Sequence, residues 1–384
     1  MYYLDNAATS FPKPVEVYDR MNQFIRESCA NPGRSSHEMA RSSANWVMKT
    51  REAAASLFNI DNPLRIGFTA NCTHALNIAI HGVLKKGDHV ITTAMDHNSV
   101  LRPLYELKRR GMIDYTVIMP YNSFGAIDVY AVSRAVRPNT RLIVLTMSSN
   151  VTGTIMPYKE IGEIAESKGI IYLIDGAQGA GVLPLDVKAM NISMLAFPGH
   201  KSLMGPQGTG GLYVKEGIEL KPIMQGGTGS LSFETVQPLF MPDIVECGTI
   251  NTPGIVGLGA GIEFILKTGT NNILKRKELL LTKLYEGLAV HRKIKLYSTA
   301  ESNKNSGIIA FIINGMDSSE IAGILDSRYH IATRAGFHCA PLAHKALGTE
   351  KTGLVRLSLG YFNTPDEIQY TIDSIKEIAD ENRT

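Results

Sequence analysis

The sequence predicts an α/β protein: a large, mainly parallel-sheet domain with a smaller α+β domain after it. Three observations carry this. Short apolar runs alternate with helical stretches between residues 64 and 214. The pattern then changes after about residue 256. The chain has 384 residues, enough for two domains rather than one.

The runs Leu64–Phe68, His89–Thr93, Tyr115–Met119, Arg141–Thr146, Ile170–Ile174, Met194–Phe197 and Gly211–Val214 read as strands. Thr73–Leu84 reads as a helix ending near Gly82. Pro157–Lys168 reads as another, with a proline where its missing N–H costs nothing and Gly169 as the stop. Strand–helix–strand alternation at this spacing requires crossover connections, hence a mainly parallel sheet. Further on come a long amphipathic segment, Asn272–Val290, a strand at Ile308–Ile313 and a helix at Ser319–Ser327. Strands near Ile331 and Val355 and a final helix follow. That helix opens "TPDE", with Thr364 as cap, Pro365 in the first turn and Glu367 three residues on, a capping box. The expected division is residues 15–256 for the large domain and 257–384, together with 1–14, for the small one.

Composition excludes several classes. A hydrophobic fraction of 44% and a charged fraction of 20% fit a soluble globular chain. A net charge of +3 is too small to argue for nucleic acid. No apolar run reaches the roughly 18 residues of a membrane helix. "MYYLDNAATS" lacks the basic-then-apolar order of a signal peptide. Cys29, Cys72, Cys247 and Cys339 form no CxxC pair, so neither a metal site nor a disulfide framework is expected. A reducing cytoplasm is the expected home.

In open parallel sheets, ligands bind beyond the carboxyl ends of the strands. The segments that follow the strands are "TANCTH", "AMDHNSV", "MSSNVTGT", "DGAQGAG" and "PGHK". They bring Thr73, His97, Asn150, Asp175 with Gln178, and His200 with Lys201 to one edge. Singly, each has an ordinary reading. Lys201 is a surface lysine, Asp175 caps a turn, Thr73 caps a helix and His97 is a satisfied histidine. Jointly they outline a site. An acid closing the apolar strand "IIYLID" is costly to desolvate unless it meets a cation. A helix N-terminus at Thr73 is a ready phosphate site. Gly199, Gly205 and Gly208 suggest backbone lying close against something flat. "GPQGTGG" lacks the Lys-Ser/Thr ending of a nucleotide P-loop, so ATP is discarded. A lysine, a buried acid and a phosphate cradle together suit pyridoxal 5'-phosphate. Its aldehyde bonds a lysine, and its ring nitrogen needs a carboxylate to stay protonated.

The chain resembles the class V aminotransferases, in their cysteine desulfurase and selenocysteine lyase branch. The resemblance runs nearly end to end. It is carried by "YLDNAATSFPKP" (3–14), "NPGRSSHEMA" (31–40), "FTANCTHALN" (68–77), "DHNSV" (96–100) and "SSNVTGT" (148–154). "DGAQ" (175–178), "GHK" (199–201), "GPQGTGGLYV" (205–214), "ECGTINTP" (246–253), "TRAGFHCA" (333–340) and "VRLSLGYFNTPDEI" (355–368) continue it. The resemblance implies the aspartate-aminotransferase-like fold type I of pyridoxal-phosphate enzymes, usually as a homodimer. It implies that Lys201 bonds the cofactor, Asp175 pairs with the ring nitrogen, Gln178 reaches the phenolic oxygen and His97 stacks on the ring. Thr73 and His200 would hold the phosphate, with backbone from Cys72, and Thr249 matches a threonine that serves the partner subunit's phosphate. Asn150 and Arg356 match residues that hold the substrate carboxylate, for which a bidentate arginine suits better than a lysine. By itself Arg356, in "LVRLSL", reads as a solvated residue.

Cys339 selects the activity. A buried cysteine is usually a small hydrophobe. "TRAGFHCAPLAHKALG" is instead polar and glycine-marked, with Arg334, His338 and His344 near enough in sequence to lower a thiol's pKa. The position matches the family's persulfide cysteine. The expected reaction turns L-cysteine into L-alanine and leaves its sulfur on Cys339 for an acceptor protein. Lys201, His97 and Cys339 are the expected catalytic residues. The alternatives are a selenocysteine lyase or other β-eliminating lyase and, from another class, a weakly catalytic interaction protein. Three positions depart from the family pattern: Pro198, His74 and Phe337. The short stretch between Cys339 and Arg356 resembles the short-loop desulfurases.

Overall fold

The structure is a computed structural model that describes residues 1–33, 35–299 and 301–382. The first half comprises β1 (Tyr2–Tyr3), α1 (Val15–Glu27), α2 (Glu38–Phe58), β2 (Ile66–Thr69), α3 (Cys72–Val83), β3 (Asp88–Thr93), α4 (Asn98–Arg109) and β4 (Ile113–Ile118). Then come α5 (Val129–Arg134), β5 (Thr140–Thr146), α6 (Tyr158–Ser167), β6 (Ile171–Asp175), β7 (Met194–Pro198) and β8 (Gly210–Val214). The remainder comprises α7 (Thr252–Thr268), α8 (Thr270–Ala289), β9 (Ile294–Leu296), β10 (Ile308–Ile313), α9 (Ser318–Tyr329), β11 (Ile331–Ala332), β12 (Arg334–Gly336), α10 (Pro341–Leu347), β13 (Leu354–Ser358) and α11 (Pro365–Glu381).

Seven strands form the large sheet in the order β2-β8-β7-β6-β5-β3-β4. Neighbours from β7 to β4 are parallel, and β8 alone runs against both of its neighbours. Both faces are covered, which explains why its strands read as continuous apolar runs. Successive residues still alternate between faces. Ile143, Leu145, Ile174 and Phe197 pack into one core with Phe58 and Leu258. Leu142, Val144, Leu173 and Ala196 pack into the other with Leu76 and Leu104.

A four-stranded antiparallel sheet, β12-β13-β10-β9, lies in the C-terminal part, and β1 pairs in parallel with β11. Leu4, Phe311, Leu325, Leu357 and Ile372 share its core. The division expected at residue 256 falls inside α7. That helix packs on α1 and α2, and its Ile255, Leu258, Ile262 and Ile265 join the first core.

Helix boundaries follow capping chemistry. The cap of α3 is Asn71 rather than Thr73: its side chain accepts from the His74 N–H at 2.8 Å. An asparagine cap ranks above threonine, and a cap at 71 leaves Thr73 inside the first turn. Pro157 is the cap residue of α6, with no side-chain cap bond. The capping box of α11 forms as expected, with the Glu367 N–H donating to Thr364 Oγ1 at 3.3 Å. No helix among the described residues is long and apolar enough to cross a membrane.

Candidate functional site

Five strand ends, of β2, β3, β5, β6 and β7, open onto one cavity. Cys72, Thr73, His97, Asn150, Asp175, Gln178, His200 and Lys201 all line it. Thr249, Arg356 and Cys339 do not line it.

Asp175 ends β6 and is 2% exposed. Its Oδ1 accepts from the Ala177 N–H at 2.9 Å and from the Cys72 thiol at 3.4 Å. Its Oδ2 has no donor among the described residues. Lys201 follows β7. Burial holds its amine below the usual lysine range, and Arg356 and Arg334 push the same way, while the Asp175 carboxylate opposes them. A neutral amine is the nucleophilic form.

His97 caps α4, and its Nδ1 accepts the Ser99 N–H at 3.0 Å. A ring nitrogen that accepts carries no proton, so the neutral ring holds its proton on Nε2. Burial, the largest influence, lowers the pKa of this ring. Ser99 Oγ lies 2.8 Å from His97 Nδ1 and 2.6 Å from Thr73 Oγ1. One serine thus joins the imidazole to the first turn of α3. Ser99 was missed in the sequence, although "DHNS" places it at a helix start where a hydroxyl bonds locally. Gln178 Nε2 donates to the Ala7 carbonyl at 3.0 Å, which leaves its second N–H available.

The glycines around Lys201 require a correction. A Cβ at Gly199 would lie 2.0 Å from Thr209 Oγ1, and one at Gly205 would lie 2.9 Å from the Leu258 backbone. These glycines admit close packing of the chain on itself, not of a flat ligand.

Arg356 is 1% exposed on β13. Its guanidinium donates to Asp5 Oδ1 at 2.9 Å and to the Asn150 carbonyl at 2.8 Å, while its Nε–H has no partner. The solvated reading of "LVRLSL" therefore fails, because both faces of this strand are covered. Asp5 was not foreseen; only the pairing of the N-terminal chain with Ser358 brings it there. Asp5→Ala leaves a buried guanidinium without its carboxylate. It is expected to cost about 3 kcal/mol of stability. Urea unfolding checks this, and an unchanged midpoint would show the pair to be idle.

Cys339 is exposed and lies at φ +57°, directly after His338 at φ +47°. Two successive left-handed non-glycine residues are strained and need external support. Support comes from the site: the Asn98 N–H donates to the Cys339 carbonyl at 2.8 Å, and Asn150 Nδ2 to the His338 carbonyl at 2.7 Å. The expectation that His338 and His344 charge the thiol's surroundings is corrected. Both rings are buried, and burial pushes the His338 pKa down to about 2. Neutral rings supply no positive charge. Arg334, on the strand beside Arg356, is the cation near this turn. Phe337 is exposed and meets His344 edge-on. Pro198 lines the cavity, and His74 does not.

Thr249 is exposed, with its hydroxyl 3.5 Å from Asn31 Nδ2. That is away from its own chain's cavity.

Asp96 was also missed. It is fully buried and accepts from Thr92 Oγ1, Thr93 N–H, Thr93 Oγ1 and Thr146 N–H at 2.7–2.9 Å. Burial still lifts its pKa to about 6. Its folded pKa is raised, so its contribution to stability is complete below the ordinary carboxylate pKa and is lost as pH rises through about 6. Asp96→Asn removes that titration. The advantage of wild type over the variant is therefore expected to shrink between pH 4 and pH 7, by on the order of 2–3 kcal/mol. Thermal melts across that range check it; parallel curves would refute the assignment.

The strand-end cavity, the buried Asp175 and Lys201, and a helix N-terminus at Thr73 define a cofactor-type enzyme site on a mainly parallel sheet. The chain belongs to the aminotransferase class-V family, whose model matches residues 2–371. A probable cysteine desulfurase of Methanothermobacter thermautotrophicus is 36% identical over 383 residues, covering 98% of this chain and 94% of that protein. A cysteine desulfurase of Pectobacterium atrosepticum is 31% identical, covering 98% of this chain and 92% of its own. Among solved structures, the apo cysteine desulfurase of Thermococcus onnurineus superposes with a TM-score of 0.93 at 30% identity, covering 99% and 94% of the two chains. An Escherichia coli cysteine desulfurase in an S-sulfonic acid form gives 0.88 at 29% identity, covering 98% and 94%.

Proposed function

We infer that the chain is a cysteine desulfurase that uses pyridoxal 5'-phosphate, converts L-cysteine to L-alanine and carries the sulfur on Cys339. The observation that carries this reading is the anchoring of the Cys339 turn to Asn98, next to His97, and to Asn150. It ties the turn that carries an exposed thiol to Asn150, a wall residue of the cavity, and to the neighbour of His97, another, which supports a thiol acting on a substrate held there.

The residues present fit the cofactor. His200 Nδ1 is buried without a partner, as a phosphate-facing donor would be before its ligand arrives. Asp175 Oδ2, also without a donor, suits a protonated ring nitrogen. The first-turn amides of α3, at Cys72 and Thr73, suit the phosphate. The bound cofactor supplies an aldehyde for an amine and an electron sink. Lys201 would hold that aldehyde and, once released, move the substrate α-proton as a neutral amine. His97, with Nδ1 fixed by Ser99, offers Nε2–H and the flat ring face. Gln178 offers its free N–H. Arg356 and Asn150 would orient the substrate carboxylate, with Asp5 and Asn150 already setting the guanidinium's direction. Cys339 would take the substrate sulfur as a persulfide.

The chain between Cys339 and Arg356 is filled by α10 and the start of β13, with no long loop. Such a turn reaches only a short distance, which supports an acceptor protein docking close by. A homodimer is part of this reading: Thr249, outside its own chain's cavity, would serve the site of a second copy. The four free cysteines and a thiol that must stay reduced suit the cytoplasm.

The test is incubation of the holoenzyme with L-cysteine and a thiol reductant. Equal amounts of L-alanine and sulfide are expected. Pyruvate and ammonia in place of alanine would identify a β-eliminating lyase and overturn the reading.

A further inference from the structure

A second, smaller cavity of about 20 Å³ lies between α8 and the large sheet's loops, with Gln178 in its wall as well as in that of the first. That is room for one water-sized species. Lys277 of α8 lines it and is only 7% exposed. Gly307 makes the space for this side chain: a Cβ there would lie 2.4 Å from Lys277 Cε and 3.1 Å from Nζ.

The Lys277 ammonium has no hydrogen bond and no ion pair among the described residues. No carboxylate among the described residues lines the cavity. Three of its polar neighbours are engaged elsewhere. Asn6 Nδ2 donates to the Ser358 carbonyl at 3.0 Å, and Ser306 Oγ pairs with Ser148 Oγ at 2.7 Å. Ser358 Oγ accepts the Ala7 N–H at 2.8 Å. The Ser202 hydroxyl, also in the wall, makes no hydrogen bond among the described residues, and the Tyr361 hydroxyl and the second Gln178 N–H are likewise left over. Burial lowers the lysine's pKa to about 8, so the group is mostly charged at neutral pH. A buried charge without a counter-charge is strongly unfavourable. A water molecule would accept a hydrogen bond from it but would not neutralise it.

We propose that this cavity is a binding site for a single halide-sized anion, chloride in the cell, held by the Lys277 ammonium with the Ser202 hydroxyl. The walls come from α8, from the Ser306–Ile308 turn and from the loops carrying Gln178 and Ser202. An anion there links the C-terminal part to the sheet that carries Lys201. The proposal is independent of the reaction assigned to the first cavity.

Thermal unfolding of the holoenzyme tests it, in sodium chloride or bromide against sodium gluconate at equal ionic strength. A saturable rise, about 2 °C at tenfold excess over the dissociation constant, is expected in the halides only. Lys277→Met should abolish the difference. An equal response to gluconate, or a halide response unchanged in Lys277→Met, would overturn the site. Should that variant fail to fold, wild-type crystals soaked in bromide decide the matter. An anomalous peak beside Lys277 Nζ is expected, and its absence refutes the proposal.

Discussion

Lys201→Ala is expected to lower turnover of L-cysteine by on the order of 10⁴-fold or more, because covalent and proton-transfer roles vanish together. The fold should be unaffected. Lys201 follows β7 in a turn whose shape depends on Gly199, Gly205 and Thr209 rather than on the lysine side chain. The cofactor should still bind, held by Asp175, His200 and the first-turn amides of α3. It should no longer become fixed to the chain on borohydride reduction. Lys201→Arg should fare no better, since a guanidinium stays charged where burial favours a neutral amine. Fixation that survives in Lys201→Ala would place the covalent attachment on another lysine.

Cys339→Ala is expected to separate sulfur transfer from everything before it. Alanine release from L-cysteine should fall by at least about 100-fold. Borohydride fixation at Lys201 should be unchanged, because Cys339 does not line the cavity. Release of alanine from L-selenocysteine should fall less, since that route can expel selenium without an enzyme thiol. The substitution removes only an exposed side chain, although φ +57° remains strained for alanine. Cys339→Gly relieves that strain and is the control for folding. Undiminished activity on L-cysteine in both variants would remove Cys339 from the mechanism.

What the sequence revealed follows a physical rule. Strands buried on both faces announce themselves as apolar runs, and their ends locate the site. Lys201, Asp175, His97, Gln178, Asn150 and His200 were all legible in this way, because each stands within a few residues of a strand's end. α2 was not singled out. Its buried face, which packs on α7, mixes Ala40, Ser43, Thr50, Arg51, Ala54 and Ala55 with only Val47 and Phe58 as large apolar residues, so its apolar periodicity is weak. The partners Asp5 and Ser99 were invisible for different reasons. Asp5 reaches Arg356 across 351 positions of chain, and no local pattern encodes that. Ser99 acts through a hydroxyl, which a helix start uses as readily for capping as for a site. The glycines near Lys201 were legible as marks of close approach, but only the folded chain shows what is approached. His338 misled because sequence gives proximity without burial, and burial decides whether an imidazole carries charge.

The central claim is that Cys339 receives the sulfur of L-cysteine. It is tested most directly by mixing the holoenzyme with L-cysteine in the absence of reductant and weighing the Cys339 peptide. One added sulfur is expected on Cys339, formed together with one equivalent of L-alanine. An unmodified Cys339 alongside released alanine, or added sulfur on Cys29, Cys72 or Cys247 instead, would contradict it.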